Sequence, residues 1–218
     1  MKPDLRKKQI SGILLTLGVF AVEFLITAAY LYPKARRGEL FSARRASTDL
    51  PALFLQSLIP FLFPAALLVL FALLLKKDFA PKLYLTLHGT WQRVTALVLC
   101  TAILGITCYC LIVKADSAAV LFSLLYYLVF IAFAEEFVCR DVCPYFLRNF
   151  SWPVRYLIPN ICFAILHVFA YANWDKIGGA YLFRFVSSNL LGLAVGGCLL
   201  QLLKEKSGTI WLPVLLHA

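Results

Sequence analysis

Along this chain, long apolar runs alternate with short segments rich in lysine and arginine. The runs are Ile10–Tyr32, Leu50–Leu75, Val94–Val113, Ala118–Cys139, Val154–Tyr171 and Tyr181–Leu203, and a seventh begins at Thr209. About 20 apolar residues carry a helix across a bilayer. The pattern therefore predicts an all-α fold, a polytopic transmembrane helix bundle with six full spans plus a partial seventh. It reads as a single integral membrane domain over residues 1–218, with its polar motifs in a core of about 90–218. Pro144–Ser151 interrupts the apolar pattern and reads as a short interfacial helix or turn. Pro60 and Pro64 should bend the second helix, and Pro153 suits the first turn of the fifth, where a missing N–H costs little. Ser188, Gly192 and Gly196 recur every four residues, a spacing that lets another helix approach closely.

Composition agrees with this pattern. Of 218 residues, 62% are hydrophobic and only 15% charged, against about half and about a quarter in soluble domains. The net charge of +10 is carried by residues that flank the apolar runs, as membrane anchors do, and no basic patch with interleaved aromatics suggests nucleic acid. The first run is too long for the core of a signal peptide and long enough to span. With a cytoplasmic N-terminus, 13 of the 21 basic residues fall on the inner face, which favours that orientation. The segment "PKARRGELFSARR" between the first two helices opposes it. The seven cysteines form no C-x-x-C pair and read as small buried hydrophobes.

Ionisable groups inside a membrane are costly and mark candidate sites. Here they are Glu23, Glu135, Glu136, Arg140, His167, Arg184 and His217, joined by the amides Gln56, Asn160, Asn189 and Gln201. Glu23 stands alone in the first run and reads as a carboxylic acid that holds its helix against a neighbour. The segment "FAEEFVCRDVCP", Phe133–Pro144, is different. Glu136 and Arg140 are four apart and can pair on one helical face. Glu135, rotated by about 100°, has no such partner. It is the carboxylate that burial would most perturb.

Depth joins these groups to the two histidines. In the fifth run, Asn160 and Phe163 share a helical face with His167. In the last, Pro213 precedes His217 by four residues and should bend the chain below it. At 1.5 Å per residue, Glu135, His167 and His217 lie about 8, 18 and 12 Å from the same predicted membrane face. Three polar groups from three helices thus share one layer, an arrangement that points to a functional site.

Glu135-Glu136-x-x-x-Arg140, then Phe163-x-x-x-His167, then His217, resembles the motif set of the CAAX protease and bacteriocin-processing (Abi) family of integral membrane proteases. The likeness covers about residues 90–218. It implies a hydrolase, with a peptide or prenylated-protein substrate and the lipid bilayer as surroundings, in a bacterial plasma membrane. It implies that Glu135 activates water as general base with help from His167. Glu136 and Arg140 hold the geometry, His217 stabilises the oxyanion, and Phe163 and Asn160 line or support the pocket. The family's third motif continues to Asn or Asp four residues after the histidine, at position 221, beyond Ala218; the expectation is an apolar continuation carrying that residue. No cofactor is implied, although two histidines and a glutamate leave a zinc-dependent variant open. Two further readings stay open: a non-catalytic scaffold or immunity protein, and a cysteine protease using Cys139.

Overall fold

The computed structural model describes residues 3–37, 39, 49–75, 87, 89–113, 116–168 and 178–218. Residues 169–171 of the expected fifth span lie outside them, as do His88 and the flanking basic residues Lys2, Arg44, Arg45, Lys76, Lys77, Lys82, Lys114 and Lys176. Among the described residues the fold is all-helical. Five helices are long and apolar enough to cross a membrane: α1 (Asp4–Lys34), α2 (Leu50–Leu74), α3 (Thr90–Val113), α4 (Ser117–Phe146) and α6 (Gly179–Ser207). Between the last two lies α5 (Trp152–Leu166), with 15 residues, shorter than the expected Val154–Tyr171. The chain then turns into α7 (Trp211–His217).

Two features explain where α5 begins and stops. Pro153 occupies its first turn, as expected. At its other end the backbone N–H of His167 turns to Ala164 O at 3.1 Å. The His167 ring meets Phe163 O through Nδ1 at 2.9 Å. The imidazole thus takes the carbonyl that the next α-helical backbone bond would have used, and the last turn tightens.

The chain packs as two units. One comprises Met1–Glu39 and Cys139–Leu202. Here α1 lies on the end of α4, Cys143–Phe146, and on α5. Gly12 permits this approach: a Cβ there would overlap the backbone carbonyl of Phe146. One turn earlier, Gln9 Nε2 donates to Asn149 O at 3.0 Å. The fully buried Thr16 spends its hydroxyl on Gly12 O at 2.9 Å. The expected Ser188/Gly192/Gly196 stripe does not work as a close contact. Among the described residues nothing stands within 4 Å of a Cβ built at Gly192 or Gly196, and Ser188 donates to Arg184 O on its own helix. The close approach is made one residue on, at Gly197.

The other unit comprises Leu40–Val138 and Leu203–Ala218. Leu53, Ala119 and Phe122 form its buried centre. Phe54 and Phe61 of α2 meet Phe130 edge-on at 5.8 and 5.4 Å. Such rings place positive edges against negative faces. Part of α4 is wound wider than an α-helix: π-helical turns at Tyr126–Phe133 and Phe137–Val142 flank the single α turn Ala134–Glu136. Insertions of this kind recur at functional sites. Phe133 stacks on Trp211 at 5.9 Å, which seats α7 on the Tyr126–Phe133 turns.

Candidate active site

The α turn carrying Glu135 and Glu136 faces the end of α7, and His217 bridges the two carboxylates. Its Nδ1 lies 2.9 Å from Glu136 Oε1. Its Nε2 lies 3.5 Å from Glu135 Oε2. The first contact has hydrogen-bond length; the second is an ion-pair separation. The environments of the two glutamates differ sharply. The Glu136 side chain is 0% exposed, while Glu135 keeps 29% and His217 24%.

These distances restrict the protonation states. With Glu136 ionised, Nδ1 must carry a hydrogen to face it. If the ring is neutral, Nε2 then holds a lone pair toward Glu135, which is favourable only when Glu135 carries the proton. If Glu135 is ionised, the ring is an imidazolium flanked by two anions. The hydrogens on the two ring nitrogens and the charges on the two carboxylates are therefore linked through one imidazole. A partly exposed carboxylate beside an imidazole is the kind of pair that general acid–base chemistry uses.

Arg140, Asn160, Phe163 and His167 form a second group, within the unit that contains α5. The Arg140 guanidinium is fully buried, 5.5 Å over the Phe163 ring, a cation–π arrangement. Asn160, 1% exposed, donates Nδ2 to Tyr156 O at 2.7 Å. A Cβ at Gly197 would overlap Asn160 Oδ1 and sit 3.3 Å from Arg140 Nη2. Phe163 also meets the His167 ring at 4.4 Å between centroids. Because Nδ1 of His167 faces a carbonyl, it must donate, and Nε2 carries the lone pair of the neutral ring.

The site residues singled out from the sequence fall into these two groups. The resemblance assigns His217 to a developing oxyanion; in the structure its ring nitrogens lie 2.9 and 3.5 Å from the two carboxylates. Sequence reasoning missed Gly197 and the residues that hold α7 in place. For the latter a signal existed, because Gly89, just before α3, and Gln92, its third residue, stand at capping-box spacing.

A cavity of about 210 Å³ in the second unit is lined by Ile106, Val120, Leu124, Tyr127 and Ala218 among others. Two of its hydroxyls bond their own helices, Thr107 to Ile103 O and Ser123 to Ala119 O. Cys139 is 2% exposed, and all seven cysteines are free. Among the described residues no three of His, Cys, Asp and Glu are arranged to hold a metal ion.

Residues 116–218, which contain both groups of candidate residues, match the family described as Type II CAAX prenyl endopeptidase Rce1-like. This region is similar to Rce1-like CAAX endopeptidases. The family is one of peptidases, and with five apolar helices of spanning length the chain is an integral membrane protein. No curated protein and no solved structure matches the chain.

Proposed function

We propose that the protein is a glutamic-type intramembrane endopeptidase that hydrolyses a peptide bond in or near the bilayer. The observation that carries this reading is the asymmetric pair: one sealed carboxylate and one solvent-reachable carboxylate on a single imidazole. Glu135 takes a proton from water while the water oxygen bonds to the scissile carbonyl carbon. Electrons move onto the carbonyl oxygen, and the tetrahedral intermediate collapses as the C–N bond breaks. The proton held by Glu135 passes to the leaving nitrogen. Glu136 fixes the ring of His217 through Nδ1, which leaves Nε2 as the donor nearest the reacting groups. The motif order supports His167 as the second proton-handling group and Arg140, with Asn160 and Phe163, as its structural support.

The family match supports a peptide or prenylated-protein substrate. The distribution of basic residues supports a cytoplasmic N-terminus, and the resemblance a bacterial plasma membrane. The test is cleavage of a prenylated and a non-prenylated peptide by protein in liposomes, comparing wild type, Glu135→Gln, His167→Ala and Cys139→Ser. The reading expects cleavage by wild type and Cys139→Ser and strong loss in the other two. Cleavage retained by Glu135→Gln but lost in Cys139→Ser would establish the cysteine mechanism. Turnover abolished by a chelator and restored by zinc would establish the metal-dependent one. A scaffold function predicts no cleavage by any of the four.

A further inference from the structure

His217 can bridge two carboxylates only if α7 is held in register, and α7 is short. Its entry is a buried, hydrogen-bonded turn. Gly208 takes φ 62°, a left-handed conformation that glycine adopts without strain. Thr209 N donates to Ser207 Oγ at 3.3 Å, and Trp211 N to Thr209 Oγ1 at 3.2 Å. Ser207 is 3% exposed, and Thr209, Ile210, Leu212 and Val214 are fully buried.

One side chain ties this turn to another helix. Gln92 is the third residue of α3. Its Oε1 accepts from Gly89 N, just before the helix, and its Nε2 donates to Ser207 O, 115 residues away. The first contact is the backward half of a capping box. The second needs an amide, because an ionised carboxylate has no hydrogen to give. One group thus fixes the start of α3 and the start of α7 together.

We propose that Gln92 is a positioning residue for His217: it sets the register of α7 through Ser207 O and so aims the imidazole at Glu135 and Glu136. The effect on turnover rests on the peptidase reading; the effect on the ring does not. Gln92→Glu separates the two contacts, because a glutamate still accepts from Gly89 N and repels the Ser207 carbonyl.

The experiment is NMR of the imidazole nitrogens in ¹⁵N-histidine-labelled full-length protein in detergent micelles, with cleavage kinetics and melting in parallel. The chain has three histidines, so the spectrum is assignable. The expected result for Gln92→Glu is a folded protein whose His217 ring signals move while those of His167 stay, and whose kcat falls about tenfold at unchanged KM. A folded Gln92→Glu variant with unmoved His217 signals overturns the proposal. If Gln92→Glu does not fold, Gly208→Ala disturbs the same turn from the other side, and unmoved His217 signals in that variant overturn it equally. Moved ring signals in a protein whose wild type cleaves no peptide would uphold the positioning role and sink the peptidase reading.

Discussion

The two candidate histidines are held in opposite ways. His167 is fastened locally: Nδ1 bonds the carbonyl of Phe163 four residues earlier, and its ring rests on the ring of that residue. His217 is fastened at long range, to Glu136, 81 residues away in sequence. A ring tied to its own backbone keeps its tautomer whenever its helix end forms. A ring tied to distant carboxylates has its protonation coupled to them and depends on the fold that joins them. The first arrangement suits a group of fixed chemical character, the second a group that exchanges protons with its partners.

The largest expected effect tests whether the carboxylates of the long-range site do chemistry. Glu135→Gln keeps size and shape while removing a base, so kcat should fall about 10²–10⁴-fold with melting nearly unchanged. His167→Ala should fall comparably, and the double variant little further, because groups that act as one unit are not additive. A multiplicative double variant would show two independent sites.

Glu136→Ala should act on the fold. It leaves the buried end of His217 without its acceptor; breaking a buried charged pair costs about 3–5 kcal/mol. Low yield and a lowered melting point are expected, and a stable but inactive variant would instead give Glu136 a direct role in the reaction.

Gly197→Ala probes the support of the locally anchored group. The added methyl must displace Asn160 and Arg140, and overpacking of this kind costs about 1–3 kcal/mol. Gly196→Ala, with open space around it, should be neutral or slightly stabilising through helix propensity. Thermal melts of the two side by side check the contrast.

Smaller still is Phe163→Leu. It retains the backbone carbonyl and therefore the His167 tautomer, but loses the ring contact and the cation–π partner, together about 1 kcal/mol. The His167 ring signals should shift modestly while its Nδ1–H remains; loss of that hydrogen would mean that the ring packing, not the carbonyl, sets the tautomer.

The smallest effect belongs to an exposed pair away from both histidines. Arg37 bonds Glu39 at 2.6 Å and holds its carboxyl below the usual range. Such a group contributes only above the ordinary carboxylate pKa, and the contribution fades as pH falls through its lowered value. Being exposed, the pair should leave melting of Glu39→Gln indistinguishable from wild type at neutral pH.

The helices were legible because the bilayer demands long apolar runs, and Leu50–Leu75 and Thr90–Val113 sit close to where hydropathy placed them. The glutamates were legible because charge in such a run is costly. What escaped were features set by contact rather than period. His167 ends α5 through a side-chain bond to Phe163 O that hydropathy does not register. Gly197, not Gly196, meets a neighbour, and the four-residue rule cannot rank adjacent glycines. The bond from His217 to Glu136 joins residues 81 apart, beyond any helical spacing.

The unequal exposure of the two glutamates also imposes an order on proton traffic. Glu135 and His217 keep exposed surface, but the Glu136 side chain has none of its own. A proton bound for Glu136 therefore arrives by relay, and His217 Nδ1, at 2.9 Å, is a neighbour with an open side. Exchange with solvent should be fast at the outer carboxylate and gated at the inner one. The inner carboxylate is thus screened from the surface by the same ring that the outer one meets there.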